Sequence, residues 1–215
     1  MADNSHVRNQ LREAILRGTY APRQRLIEAE LAEEYGASRF VLRNALIQLA
    51  SEGLVEMQPN RGARVREVTV AEAVEITEIR QAIESLVAAR AAERVSDEQA
   101  DYLRELGDQM RAAVDHNELV KYSELNTALH TTLREIAGHD TGSRMLEQLN
   151  GQMVKHQFQL FLVPGRPNTS LPEHLAIIAA VCARDPETAR AAMHTHVGSV
   201  VTTLEEFAEN SAASV

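Results

Sequence analysis

The sequence contains a single cysteine, no tryptophan and few aromatic residues of any kind. Because Cys182 has no partner in the chain, an internal disulfide and a cysteine-rich zinc site are both excluded, which agrees with a reducing compartment. Aromatic residues make up 4% of the chain and apolar residues 44%. The hydrophobic cores must therefore be built from aliphatic side chains, and this favours helices.

Long apolar runs are also missing. No stretch approaches the roughly 20 residues that a membrane-spanning helix needs, and the N-terminal residues MADNSHVRNQ lack the apolar centre of a signal peptide. We therefore expect a cytoplasmic protein without a membrane partner. Its 215 residues suit one large domain or two modest ones.

Negative charge predominates, but it is unevenly distributed. The formal net charge is -9, yet the first 66 residues carry ten arginines against eight acidic residues. The remainder holds twelve basic and twenty-three acidic residues. The first part of the chain therefore supplies basic side chains that suit a nucleic acid, while the acidic second part would repel one.

Three helices and a β-hairpin are predicted in the first 66 residues. Apolar residues recur at helical spacing in SHVRNQLREAILRG, and Gly18 is a suitable left-handed terminator. A second short helix ends at Gly36, and Ser38 caps a third helix that ends at Gly53. The two strands are LVEMQ and ARVREV, joined by the tight turn PNRG.

An all-helical segment begins near residue 69. Thr69 and Ser96 are each followed three residues later by Glu or Gln, which is the spacing of a capping box at a helix start. Further helices are predicted at about residues 117–137, 142–162, 171–183 and 186–208, with one long loop at 163–172. The fold class is therefore mainly α, with one domain at 1–68 and an antiparallel helical bundle at 69–215.

The second and third helices have the spacing of a helix-turn-helix. Ala32 is small enough to let two helices approach, Gly36 makes the turn, and Leu42 anchors the second helix of the pair. This arrangement presents the N-terminal end of the third helix to the major groove of DNA, and the hairpin forms a wing that contacts the backbone or minor groove. The candidate DNA-binding residues are Ser38, Arg39, Phe40 and Arg43 on the helix, and Arg61 and Gly62 on the wing.

Residues 26–65 resemble the winged helix-turn-helix of GntR-family bacterial transcription regulators. The resemblance rests on LIEAELAEEYGASRFVLRNALIQLASEGLVEMQPNRGARV. Two departures from the family pattern are informative. Phe40-Val41 replaces the usual Thr-Pro, and Phe40 is suited to contact a thymine methyl group. Arg23 replaces a usual glycine.

The second domain resembles the FCD domain of the FadR subfamily, a helical domain that binds effectors and dimerises. The resemblance rests on EIRQAIESLVAARAA, LNTALHTTLREIAGHDTGSRMLEQL and EHLAIIAAVCARDPETARAAMHTHV. In many members an Asp or Asn and three histidines bind a divalent metal. The resemblance implies that the ligands in this chain are Asn126, His130, His174 and His196.

Helical periodicity gives independent support for this assignment. His174 shares a face with apolar residues of its helix, as does His196, and His130 borders an apolar stripe. Imidazoles at the edges of a core are costly when unpaired, and a metal that takes neutral nitrogen ligands removes that cost. The alternative is three separately hydrogen-bonded histidines. Zinc is the preferred ion, with nickel and manganese as alternatives.

An incompletely filled histidine site leaves a position for water or for a ligand oxygen, which suggests a carboxylate effector. The resemblance places Arg80 at a position where a basic residue often points towards the pocket, so we predict that Arg80 pairs with the effector. The alternative is a solvent-facing arginine. Of the remaining histidines, His194 is predicted to lie on the other side of its helix, and His156 is predicted to be a surface or loop residue.

Three functions remain open on the sequence alone. The preferred hypothesis is a ligand-responsive repressor that binds operator DNA as a homodimer. A metal-dependent enzyme is a weaker alternative because HExxH, GxSxG and phosphate-loop motifs are absent from the sequence. The third is a DNA-binding protein whose helical domain only dimerises.

Overall fold

The computed structural model describes residues 3–58, 62–153, 156, 160, 163 and 165–212, with side chains described as far as residue 206. The chain divides into two compact units. The first comprises Met1–Thr69 with Asn150–Val154, and the second comprises Val70–Leu149 with Lys155–Val215.

The first unit combines three helices with a small antiparallel sheet. The strand order is β1-β3-β2, so β3 lies in the centre. The elements are α1 (Asn4–Leu16), β1 (Arg25–Leu26), α2 (Glu28–Glu34), α3 (Arg39–Ser51), β2 (Val55–Gln58) and β3 (Gly62–Val65). The predicted hairpin is present as β2 and β3, with Val55 opposite Val65. Strand β1 was not predicted from the sequence, because two residues are too few to show strand alternation.

Aliphatic residues from the three helices and the sheet form the core of this unit. Leu42, Leu46 and Leu49 recur at helical spacing on α3 and are fully buried, as is Leu11 of α1. Gly36, at φ +59°, provides the left-handed residue between α2 and α3. The side chain of Ser38 then accepts a hydrogen bond from the backbone of Val41 and caps α3, as predicted.

Two residues in the first unit have a left-handed backbone for different reasons. Gly62 has φ +82°, and a Cβ atom placed there would lie 2.5 Å from the carbonyl oxygen of Leu26. Only glycine therefore fits at the start of β3. Arg23 has φ +67°, and this explains why a glycine is usual at that position.

The second unit is built from helices alone in the described part of the chain. They are α4 (Val70–Arg94), α5 (Asp97–Asp115), α6 (Leu119–Ala137), α7 (Asp140–Gln152), α8 (Arg166–Cys182) and α9 (Pro186–Ala212). The predicted capping box of Ser96 and Gln99 is present at the start of α5. Asp185 accepts a hydrogen bond from the backbone of Thr188 at the start of α9, as expected for a cap.

Helix α4 packs against α6, α8 and α9, and α5 packs against α6 and α8. The core between them is almost entirely aliphatic, with Leu103, Leu129, Leu133 and Ile177 fully buried. The low aromatic content of the sequence is therefore reflected directly in this core. It also places α4, α6, α8 and α9 beside one another, and these helices carry the candidate metal ligands and their partners.

The prediction of a loop at residues 163–172 was wrong for most of that segment. Helix α8 already begins at Arg166, directly after Gly165 in a left-handed conformation. Pro167 is tolerated because the amide hydrogens of a first helical turn have no partner within the helix. Pro172 lies inside the helix, where a proline usually ends one. Because of these prolines, the helix was predicted to begin at residue 171, five residues after its observed start.

Among the helices that the structure describes, none is both long and apolar enough to cross a lipid bilayer.

We expect Gly62→Ala to lower the free energy of unfolding by about 2–5 kcal/mol, as judged by chemical denaturation of the full chain. A left-handed backbone costs a non-glycine residue about 1–2 kcal/mol, and overpacking against a backbone oxygen adds about 1–3 kcal/mol. Gly18→Ala is the matched control, because its φ is +77° but a Cβ atom there meets nothing within 4 Å. Equal losses in the two variants would show that the contact with Leu26 is unimportant.

Candidate metal centre and nucleic-acid interface

Three histidines from three helices meet in the second unit. His130 lies on α6, His174 on α8 and His196 on α9. One ring nitrogen of each lies within 4.8 Å of those of the other two. Nitrogen atoms that share a tetrahedral zinc ion at bond lengths of 2.0–2.1 Å lie about 3.3 Å apart. The three ring nitrogens therefore lie close to the spacing that a shared ion requires.

The cluster is largely shielded from solvent. His174 is 1% exposed and His196 is 5% exposed, while the His130 side chain retains 17% exposure. The ring centroids of His174 and His196 are 4.3 Å apart, and those of His130 and His196 are 5.4 Å apart. The cluster therefore has a buried side, formed by α8 and α9, and a more accessible side at His130.

Each ring is held through its Nδ1 atom by a different partner. The Nδ1 atom of His130 lies 3.0 Å from Oε2 of Glu84, on α4. That of His196 lies 2.9 Å from Oε2 of Glu173. These contacts leave the Nε2 atoms to face a ligand, which is the arrangement in which a carboxylate orients a metal-bound histidine. The Nδ1 atoms are thus separately hydrogen-bonded, and the question of a common ligand concerns the Nε2 atoms.

The third ring depends on a hydroxyl group. The Nδ1 atom of His174 lies 2.9 Å from the hydroxyl oxygen of Tyr122, which in turn lies 2.7 Å from Oγ of Ser170. Burial raises the pKa of Tyr122 to about 12, although the charge of Arg166 opposes the shift. The phenol therefore keeps its proton at neutral pH.

Two arginines compensate the charge of the two carboxylates. Arg80 donates to Oε1 of Glu84 from Nη2 at 2.8 Å and from Nε at 3.1 Å. Arg166 lies 3.9 Å from Glu173 and donates to Ser199 at 3.1 Å. Each carboxylate thus lies between an arginine and a histidine, so neither charge is buried without a partner.

These contacts determine the protonation of the carboxylates. Burial by itself raises the pKa of Glu84, but the charge of Arg80 and the hydrogen bond from His130 hold it well below its usual range. The pKa of Glu173 is likewise lowered, because the hydrogen bonds from His196 and Ser199 outweigh burial. Both groups are therefore ionised at neutral pH and act as hydrogen-bond acceptors.

Two of the histidines, His174 and His196, have lowered pKa values and are neutral at neutral pH. Burial, followed by the charges of His196 and His130, lowers the pKa of His174 well below its ordinary value. Burial also lowers the pKa of His196, although the hydrogen bond to Glu173 partly opposes this. A metal binds the neutral form of imidazole, so the protonation states fit the predicted ligand role.

One atom is a specific sign that the site fits a cation. The Nε2 atom of His174 is buried and has no hydrogen-bond partner. Leaving a buried nitrogen unsatisfied costs about 1–3 kcal/mol. A neutral imidazole whose other nitrogen is already hydrogen-bonded would satisfy this atom by binding a metal. The residues present therefore fit a divalent ion, and their ligand role stays a prediction.

The structure places the other two predicted residues of this domain close by. Asn126 is half-buried and lies one turn before His130 on α6, in agreement with its predicted position on the same face. Arg80 is not the solvent-facing arginine of the alternative reading, because only 13% of its side chain is exposed. Its pairing with Glu84 ties it to the histidine cluster, while its contact with an effector stays a prediction.

The residues that hold the three rings were not predicted from the sequence. Glu84 lies four residues after Arg80, which is the spacing of an ion pair on a helix, and Glu173 directly precedes His174. Both of these signals depend only on nearby residues and could have been read from the sequence. Nothing local indicated Tyr122, because its contact with His174 spans 52 residues.

Two of the other histidines give one confirmation and one correction. His194 is exposed, as predicted from its angular position on α9, and its backbone accepts a hydrogen bond from Gln81. The prediction that His156 is a surface or loop residue was wrong: it is helical and 3% exposed.

In the first unit, the N-terminal end of α3 is free to meet a nucleic acid. Arg39, Phe40 and Arg43 are exposed. Phe40 is 75% exposed, an unusual position for a large apolar side chain without a partner. Arg43 lies 4.0 Å from Glu28 on α2, a weak and partly exposed ion pair. These three side chains have the exposure that the predicted contact with a DNA groove requires.

The other predicted DNA contacts have a different status. Ser38 is occupied as the cap of α3, which positions the helix end. Gly62 is required by the backbone at the start of β3. Arg61 lies outside the described residues.

Two family models match this chain, one in each unit. The model of the bacterial regulatory proteins of the gntR family matches residues 4–65, and the model of the FCD domain matches residues 75–199. The chain belongs to the GntR family and carries an FCD domain. The family consists of transcriptional regulators, so the enzyme alternative is set aside.

Similar proteins extend over nearly the whole chain. The HTH-type transcriptional repressor RspR of Escherichia coli (strain K12) is 29% identical over 204 residues, covering 95% of this chain and 90% of that protein. A regulator from Streptomyces ambofaciens, described as an uncharacterized HTH-type transcriptional regulator in an unstable DNA locus, is 30% identical over 205 residues, covering 94% and 84%. Among solved structures, E. coli McbR/YncC shares the fold, with a TM-score of 0.74 and 24% identity over 96% of this chain and 99% of that chain.

The metal-free GntR-family protein is expected to lose stability as the pH falls below about 6.5. Unfolded histidines take up protons near 6.5, whereas His174 and His196 have lower pKa values when folded. The unfolded state therefore binds more protons below that pH, and the free energy of unfolding falls by up to about 1.4 kcal/mol per pH unit for each residue. Glu84 and Glu173 also have lowered pKa values in the folded protein, but they change the free energy of unfolding only at lower pH, where unfolded carboxyl groups take up protons.

Urea denaturation in EDTA between pH 7 and 5 measures this slope. His174→Gln should flatten it, while the exposed His194→Gln should leave it unchanged. A wild-type slope equal to that of His174→Gln would show that His174 takes up its proton as readily in the folded protein as in the unfolded chain.

Proposed function

We propose that this protein is a ligand-responsive, sequence-specific repressor of the FadR subfamily. It binds operator DNA as a homodimer, and its helical unit holds a divalent metal that takes part in binding a small carboxylate effector. The observation that carries the proposal beyond the family is the histidine cluster, in which three rings are anchored through Nδ1 and the buried Nε2 atom of His174 has no partner.

The DNA-binding part rests on the exposed end of α3. Arg39 and Arg43 lie one turn apart on that helix, so two guanidinium groups reach towards guanine edges or phosphates. Phe40 between them presents an apolar surface suited to a thymine methyl group. Two copies related by a two-fold axis then read the halves of a near-palindromic operator. The name of the relative RspR, a transcriptional repressor, supports repression.

The metal-binding part uses four side chains. His130, His174 and His196 supply nitrogen ligands, and Asn126 supplies an amide oxygen from the turn before His130. Three imidazoles and a neutral oxygen suit zinc, with nickel and manganese as alternatives. Once bound, the ion supplies a Lewis-acidic position for an effector oxygen. The more exposed side of the cluster at His130 is the natural approach for that oxygen.

The effector-binding part rests on Arg80. Its Nη2 and Nε atoms are engaged by one oxygen of Glu84, while Nη1 keeps its donors for a second anion. A carboxylate bound there would share Arg80 with Glu84 and thereby act on His130, which Glu84 holds. An effector that binds one arrangement of the helical unit better than another shifts the population of DNA-binding protein. Release of DNA on effector binding is the expected direction.

Tag-free protein is expected to contain about one equivalent of divalent metal per chain, measured by inductively coupled plasma mass spectrometry, as a single His-rich site implies. His174→Ala should lose most of it, and His194→Ala is the matched control that should retain it. Asn126→Asp should bind the metal more tightly than the wild type, because a carboxylate is a stronger ligand than an amide.

Wild-type protein that contains no metal and also fails to take up added zinc, nickel or manganese would contradict the metal-binding part of the proposal. Failure to bind any carboxylate as well would favour a helical unit that only dimerises.

DNA recognition is tested with the operator that the wild type selects from a random duplex library. Arg39→Ala is expected to weaken binding about 10- to 100-fold in fluorescence anisotropy, which corresponds to about 1–3 kcal/mol for a bidentate base contact. Arg111→Ala, an exposed arginine of α5, should bind like the wild type. Unchanged affinity and specificity in Arg39→Ala would mean that the end of α3 does not dock in the groove.

A further inference from the structure

The three histidines differ in how their tautomers are fixed. Glu84 and Glu173 are ionised carboxylates and can only accept hydrogen bonds. Each therefore requires a proton on the Nδ1 atom of its histidine, and this leaves Nε2 as a bare lone pair. Tyr122, the partner of His174, can donate or accept. The tautomer of His174 consequently depends on where the proton of Tyr122 goes.

A chain of three hydrogen bonds settles the direction. The Oγ atom of Ser170 donates its single proton to the backbone carbonyl of Arg166, at 3.0 Å. It can then only accept from Tyr122, at 2.7 Å, so the phenol proton is used there. The phenol oxygen is left to accept from Nδ1 of His174, at 2.9 Å. The proton on His174 therefore lies on Nδ1.

The reverse direction satisfies fewer groups. If Tyr122 donated to His174, Ser170 would have to turn its only proton towards Tyr122, and the contact with the carbonyl of Arg166 would be lost. Nε2 of His174 would then carry a proton that has no acceptor, since that buried atom has no hydrogen-bond partner. The arrangement with the proton on Nδ1 makes three hydrogen bonds and leaves only the Nε2 lone pair unpaired. It is more stable than the reverse arrangement, which makes two hydrogen bonds and leaves a buried N–H group without an acceptor.

We propose that Ser170 and Tyr122 are positioning residues that hold His174 with its proton on Nδ1, so that the Nε2 lone pair is presented to the metal. The proposal rests on the metal-binding function proposed above. Ser170 contributes without contacting the histidine, because it uses up the proton that would otherwise reverse the tautomer. Both residues are buried, which keeps water from replacing either partner.

Ser170→Ala gives the sharpest test. The phenol of Tyr122 loses its acceptor in this variant and donates to Nδ1 of His174 instead, which moves the imidazole proton to Nε2. Zinc affinity is expected to fall about 10- to 100-fold, the range found when the partners of metal ligands are altered. Tyr122→Phe removes the hydrogen bond to Nδ1 of His174 but supplies no donor in its place. Both tautomers of His174 should then be populated, and zinc affinity should fall less than in Ser170→Ala.

Ser85→Ala is the matched serine control. Ser85 is buried on α4 and its hydroxyl oxygen has no hydrogen-bond partner among the described residues, so no tautomer should change. Tyr20→Phe is the control for loss of a buried phenol in the first unit. Circular dichroism of each variant verifies that the fold is retained.

Two measurements on the full chain separate the outcomes. Long-range ¹H–¹⁵N spectra of the metal-free protein report which ring nitrogen of His174 carries the proton, and calorimetric titration with zinc chloride reports affinity. A proton on Nε2 in the wild type would overturn the inference. So would a Ser170→Ala variant that keeps both its tautomer and its zinc affinity, even while the wild type binds zinc. A wild type with the expected tautomer that binds neither zinc, nickel nor manganese would instead refute the proposed metal function, and the positioning role with it.

Discussion

The cost of burying three imidazole rings against one another is the constraint on which the second unit depends. Each ring has two polar nitrogens, and burial removes most of the water that would otherwise satisfy them, most completely at His174. Glu84, Glu173 and Tyr122 take one nitrogen of each ring. Burying two carboxylates creates a further cost, which is offset by the arginines on α4 and α8. The second nitrogens remain, and the predicted metal would satisfy them together.

This polar cluster is surrounded by an aliphatic core. Leucine, isoleucine, valine and alanine offer no hydrogen-bonding groups, so every polar contact in the cluster must be supplied by the cluster itself. A network of this kind is stable only when each donor has an acceptor. That requirement explains why a serine that contacts no histidine has a definite role, since its single proton sets the direction of the hydrogen bonds beyond it.

The first unit meets a different constraint. Its helix α3 buries leucines on one face and keeps arginines and a phenylalanine exposed at its N-terminal end. The sheet beside it needs glycine at residue 62 because a carbonyl oxygen lies where a side chain would begin. Exposure at the helix end and close packing at the strand start are thus both consequences of local geometry, although the first leaves side chains free for a partner and the second does not.

Patterns of short range in the sequence determined the helices, their caps and the GntR-family assignment. The period of apolar residues, the glycines that end helices and the capping box of α5 depend only on neighbours along the chain. The same period placed His174 and His196 on core-facing sides of their helices. Pattern alone also misled, because the prolines of α8 suggested a loop and the polar character of His156 suggested exposure.

Tertiary structure decided which residues meet. The strand β1 exists only because Leu26 pairs with β3. Two residues are too few to show this pairing as a pattern in the sequence. Glu84 and Tyr122 hold histidines that lie far along the chain, and their role follows from the packing of α4, α6 and α8. The sequence by itself determined the elements and the candidate ligands. The partners that fix each ring required the packed bundle, because hydrogen bonds between helices depend on which faces meet.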